Sequence, residues 1–453
     1  MEWKKSIPWK KSIPWKKSIP WKKSIPRKAE AQLTDWRLRK SGKALLVNGA
    51  RQVGKTYILR KFGEEQFENT VYVNLETNLA AASYFAGDIS PKKILQYLEV
   101  AAGEAIRPGK TLLFLDEIQA CERALTALKY FSEEAPEYHV VAAGSLLGVA
   151  IHRERYSFPV GKVESLVLYP LDFEEYLWAR GKHKLAEAIR NAYGSMEALP
   201  DSLHLAATEL YREYLLVGGM PASVNAFMAN DSFLDAALVQ NDILDNYIAD
   251  MAKYATNADS AKIRACYQSI PAQLAKENKK FQYKIVQKGG SAAIFGASIE
   301  WLNFAGIVLK CQRIAQAYEP ISVYADLSAF KLYMGDTGLL VTKAGISGQT
   351  ILSGEGNLFM GAVTENYVAQ QLAAKGYPLY YWESANAAEL DFVLQKENQI
   401  IAIEVKKGEH VRSRSLSVFR DAYQPAYAIR LSLKNFGEKD GLKSVPLYAA
   451  FCI

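Results

Sequence analysis

Three groups of residues have the types and spacing to do chemistry. The first is Gly49-Ala50-Arg51-Gln52-Val53-Gly54-Lys55-Thr56, a complete GxxxxGK[ST] pattern, followed by Tyr57. Gly49 and Gly54 let the backbone turn so that successive amides face the oxygens of a phosphate. A helix starting there points its positive end at the same anion. Lys55 reaches the β- and γ-phosphates and Thr56 offers its hydroxyl to Mg²⁺, so residues 49–57 are expected to hold a nucleoside triphosphate. The second group is Asp116-Glu117, at the end of the apolar run Leu112-Leu113-Phe114-Leu115. Asp116 is placed to hold Mg²⁺ through water, and Glu117 to orient or deprotonate the attacking water. Ser145, closing HVVAAGS, is placed to sense the γ-phosphate or polarise the water; it reads equally as a cap on a following helix. The third group is C-terminal: Asp391 in ELDFV, Glu404 and Lys406 in IAIEVKK, and Glu365 on a preceding helical stretch. Side chains alternate along a strand, so Glu404 and Lys406 share a face, as do Glu389 and Asp391. If the two strands are neighbours, these groups converge as metal-dependent phosphodiester hydrolysis requires. Asp391, Glu404 and Glu365 would hold one or two Mg²⁺, and Lys406 would stabilise the developing charge. On a degenerate fold the same residues would form only salt bridges.

These residues need elements to position them. KALLVNG (43–49), NTVYVNLE (69–76), TLLFLDE (111–117), EYHVVAAGS (137–145) and VESLVLYPL (163–171) read as strands. They alternate with helical patterns, which implies a parallel sheet covered on both faces. DFEEYLWARG opens on Asp172 with Glu175 three residues on, a capping-box start. Residues 180–260 are mostly helical in pattern, broken by VGGMP (217–221). SAAIFGASIEWLNFAGIV suggests a helix-turn-helix, and FKLYMGDTGLL a turn-rich closure. A last unit combines a helix at 361–376 with strands at 379–383, 388–395, 400–407 and 426–432. The division expected is a repeat tail at 1–26, a P-loop domain at 27–178, a helical linker at 179–260, a winged-helix-like region at 261–348 and a C-terminal domain at 349–453.

The chain has 453 residues and a formal charge of +7. Residues 1–26 hold WKKSIP four times over, from Trp3, Trp9, Trp15 and Trp21, with eight lysines and one glutamate. The tail therefore carries the whole net charge, and the neutral remainder excludes a uniformly basic nucleic-acid coat. A proline every sixth residue forbids helix and removes strand donors, so the tail is expected to be extended and unpacked. A basic-aromatic arm for nucleic acid or anionic membrane is one reading. Identical copies favour the other, a recent duplication or a misassigned start. Four scattered cysteines with no CxxC pair argue against a metal cluster or disulfide framework. No apolar run reaches membrane-span length and the N-terminus has no apolar h-region, so a cytoplasmic protein with no membrane partner is expected.

Taken together, GARQVGKT, LLFLDEIQ, the Gly144-Ser145 pair, PVGKVESLVLYPLDFEEYL, VGGMP and KLYMGDTGLL resemble a prokaryotic group of AAA-type ATPases fused to a C-terminal domain of unknown function. The resemblance runs from about Arg27 to the C-terminus. It implies an α/β chain with a P-loop parallel-sheet ATPase domain, a helical and winged-helix-like middle, and a C-terminal α/β domain of restriction-endonuclease-like fold. It also implies ATP with Mg²⁺ as the nucleotide, and the lack of an NKxD motif agrees. Lys162 stands where the family often has Arg, and lysine cannot copy a bidentate fork. Arg153 and Arg155 are nearby alternatives for an arginine finger. The C-terminal residues resemble the PD-(D/E)xK nuclease pattern, with Leu390 in place of its proline. Lys406, Lys407, His410, Arg412, Arg414 and Arg420 form a basic run that can track the phosphates of DNA or RNA, or face solvent. The leading expectation is an ATPase acting on nucleic acid, its nucleotide state gating a nuclease. The alternative is a nucleotide-switched DNA- or protein-binding regulator with an inactive nuclease fold. A small-molecule kinase fits least, since the added domains exceed its needs. Assembly into a homo-oligomer is compatible with either.

Overall fold

The computed structural model describes residues 24–39, 41–145, 161–254, 257–354, 358–384, 388–408 and 414–453. Arg153, Arg155, His410, Arg412 and the repeats through residue 23 lie outside the described residues. Five strands build the first sheet: β1 (Ala44–Asn48), β2 (Asn69–Asn74), β3 (Thr111–Asp116), β4 (His139–Ala143) and β5 (Val163–Val167). All pair in parallel, in the order β2-β3-β4-β1-β5. β3 is buried at every residue, which is why it reads as one continuous apolar run. Chain order reverses beside β1, so the loops leaving β1, β3 and β4 open onto one crevice at the carboxyl edge. Helix α1 (Ala29–Arg39) precedes β1, and α2 (Lys55–Gln66) follows the phosphate loop. The capping box is present at α3 (Phe173–Ala179): Asp172 Oδ1 accepts from Glu175 N, and Glu175 Oε2 accepts from Asp172 N.

The middle of the chain is helical, with α4 (Asp201–Val217), α5 (Phe233–Tyr254) and a helix at Asn257–Leu274 as its long members. Helix α6 (Ala292–Phe304) takes up nearly all of the run expected to be a helix-turn-helix. The chain then turns at Gly306 and the run's final residue, Val308, opens a strand, so that stretch is one helix and a strand start. Sequence periodicity misread it because a short apolar strand looks like the continuation of an apolar helix.

The second sheet holds β6 (Val308–Ile314), β7 (Ala325–Met334), β8 (Tyr380–Glu383), β9 (Glu389–Lys396), β10 (Gln399–Val405), β11 (Ala428–Ser432), β12 (Gly437–Lys439) and β13 (Leu442–Pro446). Its order is β12-β13-β11-β10-β9-β8-β6-β7. The boundary expected at 348/349 falls within one continuous sheet: the β6–β7 hairpin pairs through β6 with β8 of the C-terminal strands. Pairing between β6 and β8 is non-local, and the helical, turn-rich sequence between β7 and β8 hid it. Within this sheet, α8 (Met360–Ala374) leads into three antiparallel-linked strands, β8, β9 and β10. Helix α9 (Arg414–Tyr423) then leads into β11, which lies parallel to β10.

One apolar core runs from Ile25 to Ile453 and joins both sheets. Ile25, assigned to the tail from sequence, is buried in it, so the folded body reaches into the last repeat. Helix α8 crosses this core and is buried from Ala362 to Ala373, polar residues included. Gln370 accepts from Thr337 N at 2.9 Å and donates to the Tyr214 hydroxyl at 2.8 Å. Gln371 Oε1 accepts from Phe173 N at 2.8 Å, and Asn366 bonds Met334 N at 2.7 Å and Met334 O at 3.1 Å. Helix α7 (Thr337–Ala344) is capped by Asp336, whose other oxygen accepts from Gly219 N at 2.6 Å. Gly219 O in turn accepts from Leu171 N at 2.7 Å. The VGGMP, GDTG and YPLDFEEYL stretches are thus one contact, closed by buried hydrogen bonds.

Candidate functional site

The crevice at the edge of the first sheet gathers the phosphate-loop residues. The turn is set by Gln52 at φ 68° and Gly54 at φ 94°. At Gly49 a Cβ would stand 2.2 Å from Leu168 O, so only glycine fits against the strand β5 exit. Lys55 is buried and its Nζ donates to Gly49 O and Ala50 O, both at 2.8 Å. Burial lowers its pKa to about 8, against the pull of Glu117 and Asp116. Thr56 Oγ1 donates to Asp116 Oδ2 at 2.9 Å, and the Tyr72 hydroxyl donates to the same oxygen at 3.0 Å. Two hard oxygens at the end of a phosphate loop fit Mg²⁺, which usually takes one or two carboxylates plus phosphates and water. Glu117 follows in a left-handed conformation at φ 52°, and Gln119 Nε2 holds its Oε2 at 2.5 Å. Ser145 is buried past the end of β4, between the exits of β3 and β1. Val53 is buried and Tyr57 is exposed.

The rest of the chain closes on this loop. Arg51 forms an ion pair with Asp250 of α5, and the Tyr247 hydroxyl donates to Arg51 O at 3.3 Å. A Cβ at Gly306 would come within 3.0 Å of Ala50 N, so the α6–β6 turn lies directly on the loop. Arg27 donates to Val53 O at 3.2 Å and Tyr169 O at 2.7 Å, and pairs with Glu175 at 3.2 Å. Sequence reasoning missed Tyr72, Gln119, Asp250 and Arg27. Only Gln119, two residues after Glu117, had a local signal. Lys162 pairs with Glu133 at 3.1 Å.

The C-terminal strands β9 and β10 are neighbours, as the third group of residues required. Between β8 and β9 the register slips, so Asp391 and Phe392 together oppose Tyr381, a bulge that re-aims Asp391. Asp391 Oδ2 accepts from Val405 N at 2.8 Å. Burial, with Glu365 beside it, pushes the Asp391 carboxyl up to about 7, against the pull of Lys331. Glu365 Oε1 takes Lys279 at 2.7 Å, and its Oε2 accepts from the Tyr333 hydroxyl at 3.3 Å. Lys331, unforeseen, sits in this group, paired with Glu389 and 4.0 Å from Glu365 Oε2. Glu404 alternates with Ile403 and Val405, which pack in the core shared with α8; it therefore faces the α9 side, with Ala402. There Lys406 holds its Oε1 at 3.0 Å, and Arg430, its register partner on β11, stands 3.6 Å from Oε2. Among the described residues no three His, Cys, Asp or Glu side chains are grouped to hold a metal ion. Arg420 gives its guanidinium to Asp440 O.

A parallel sheet with the phosphate loop after β1 and a Thr–Asp pair across the crevice is the arrangement of a P-loop nucleotide-binding domain. Residues 41–177 match the family described as "AAA domain". Residues 208–350 and 360–450 match two families described as domains of unknown function, DUF8612 and DUF4143. Uncharacterized proteins of Mycobacterium tuberculosis (Rv2008c) and Mycobacterium bovis (Mb2031c) are each 39% identical over 79 residues, 17% of this chain. The match spans only 18% of the length of those relatives. Among solved structures, the chain is similar to the Walker-type ATPase PABY2304 of Pyrococcus abyssi, with TM-score 0.43 and 13% identity over 71% of this chain and 96% of that one. It is also similar to the ORC2 protein of Aeropyrum pernix, at TM-score 0.39 and 11% identity over 77% and 96%. No helix of the described residues is long and apolar enough to cross a membrane.

Proposed function

We propose that the chain is a Mg²⁺-dependent ATPase whose nucleotide state is passed to a C-terminal domain of restriction-endonuclease-like build, which holds nucleic acid. The carrying observation is the buried Lys55 beside the Thr56–Asp116 hydrogen bond, with Glu117 next in line. Mg²⁺ held there would supply positive charge against that of the phosphates. Thr56 and Asp116 would hold it, the amides of residues 50–57 would cradle the phosphates, Lys55 would meet the β- and γ-oxygens, and Glu117 would align water. Ser145 is placed to read the γ-phosphate. Purified protein should hydrolyse ATP only with Mg²⁺. Glu117→Gln should retain ATP binding and lose on the order of 10²-fold or more in turnover, as expected for a general base. Unchanged turnover in that variant sinks the assignment, and unimpaired binding by Lys55→Ala sinks the phosphate site.

For the C-terminal domain, binding is favoured over cutting. The order helix, three antiparallel-linked strands, helix, parallel strand supports the nuclease-like build. Glu365 and Glu404, however, already have lysine partners, and among the described residues no three His, Cys, Asp or Glu side chains are grouped to hold a metal ion. The residues do not fit a ready metal site. Incubating DNA and RNA with the protein and Mg²⁺ or Mn²⁺ should give no cleavage. Cleavage that disappears in Lys406→Ala would restore the nuclease.

A further inference from the structure

Lys331 is an uncommon residue by position. It lies in the run Ala329–Met334, buried at every residue, and its own side chain has no exposure. Leaving an ammonium there without compensation is costly, so what surrounds it is informative. Its register partner on β6 is the small Cys311, and its Nζ stands 4.8 Å from the centre of the Tyr381 ring on β8. The side chain thus passes β6 and β8 and reaches the carboxylate of Glu389 on β9. Glu365 comes from α8 on the same side, and the Asp391 charge bears on the ammonium as well. Burial alone would lower the lysine, but these three carboxylates outweigh it and raise it above its ordinary value. The aromatic face adds a desolvated cation–π contact.

A metal-dependent nuclease would need the same carboxylates, Glu365 and Asp391, to be shared by a divalent ion. We propose that Lys331 is the resident cation of this cluster: it takes the place of the divalent ion, and the cluster is metal-free in the working protein. Two ammoniums, from Lys331 and Lys279, face the carboxylates of Glu365, Glu389 and Asp391. Little negative charge is left to draw a hard cation that must also shed water to bind. The lysine enters on the β6–β7 hairpin, from outside the segment 360–450. The same ion group therefore fastens the hairpin to the C-terminal strands. This inference rests on the nuclease-like reading of the domain, and its test separates the two.

The test is direct Mn²⁺ binding, read by electron paramagnetic resonance of free Mn²⁺. Full-length protein is used without nucleotide, in an Asp116→Asn background that removes the other carboxylate of interest. The parent should bind no Mn²⁺ tighter than about 1 mM, while Lys331→Met should gain one ion per chain, lost again on adding Glu365→Gln. If the parent already binds one ion and loses it with Asp391→Asn, the resident-cation proposal is overturned while the nuclease-like reading stands. If neither parent nor a folded Lys331→Met binds, the cluster is no latent metal site, and both fall. Should Lys331→Met not fold, Mn²⁺ titration of the parent and its Asp391→Asn variant decides alone: absence of a site supports the proposal and an Asp391-dependent site overturns it.

Discussion

Lys55 illustrates what a single residue has to manage. In the described state its ammonium is satisfied by two carbonyls of its own loop, and burial brings its pKa to about 8. A bound triphosphate favours the charged form, so its pKa must rise on binding. Below about pH 8 the ammonium is already charged and binding takes up no proton. Above it, binding must take up a proton, and affinity falls about tenfold for each further pH unit. A fluorescent ATP analogue should therefore bind about tenfold more weakly at pH 9 than at pH 7, with proton uptake visible calorimetrically in buffers of different ionisation heat. Flat affinity over that range refutes the buried-lysine account. At this scale much was legible. The loop, Asp116 and Glu117 announce themselves because phosphate chemistry needs neighbours in sequence. Lys331 did not, although a lysine inside Phe330-Lys331-Leu332-Tyr333 poses the same question as Lys406 inside its apolar strand. Its partners lie 34 to 60 residues away, on other strands and a helix, and no local spacing reveals them.

At the scale of elements, α8 explains both what the sequence showed and what it hid. A helix at 361–376 was expected and is found at Met360–Ala374. Its role was not visible, because a helix buried all round has no polar face to indicate its orientation. Its buried polar residues Thr364, Glu365, Asn366, Gln370 and Gln371 make its connections to the rest of the chain. Gln370 alone serves Thr337 N, the Thr337 hydroxyl, the Tyr214 hydroxyl and Asp336. Removing it leaves donors and a buried carboxylate without that partner, at about 1–3 kcal/mol for each group truly orphaned. Gln370→Ala should thus lower stability by roughly 2–4 kcal/mol, read from the urea midpoint at unchanged slope. A loss within about 0.5 kcal/mol, the range of an ordinary surface change, would mean that α8 is not the joint between the sheets. The five strands of the first sheet were legible for the opposite reason. Each is a short apolar run ended by turn residues, and parallel order follows from the helices between them. The β6–β8 pairing that joins hairpin to C-terminal strands had no such cue.

The whole molecule returns to its charge. The +7 belongs to residues 1–26, and the rest is neutral, so any nucleic-acid affinity of the folded body must come from local groups such as Lys406, Arg420 and Arg430. The boundary between tail and body now has a physical position. Ile25 is buried in the main core, and Arg27 bonds Val53 O of the phosphate loop and Tyr169 O while pairing with Glu175, itself buried. Two truncations separate these contributions. Deleting residues 2–23 removes the lysines and touches none of those contacts, so melting temperature and ATP affinity should hold while weak, salt-sensitive binding to DNA drops. Extending the deletion through Arg27 strips Ile25 from the core and leaves the Glu175 carboxylate without its guanidinium. Losing one partner of a buried pair costs about 3–5 kcal/mol, and the phosphate loop loses a brace at Val53. The longer deletion should therefore melt well below the shorter one and bind ATP more weakly. Equal melting of the two would move the edge of the folded body beyond Arg27 and deny that residue its part in holding the loop.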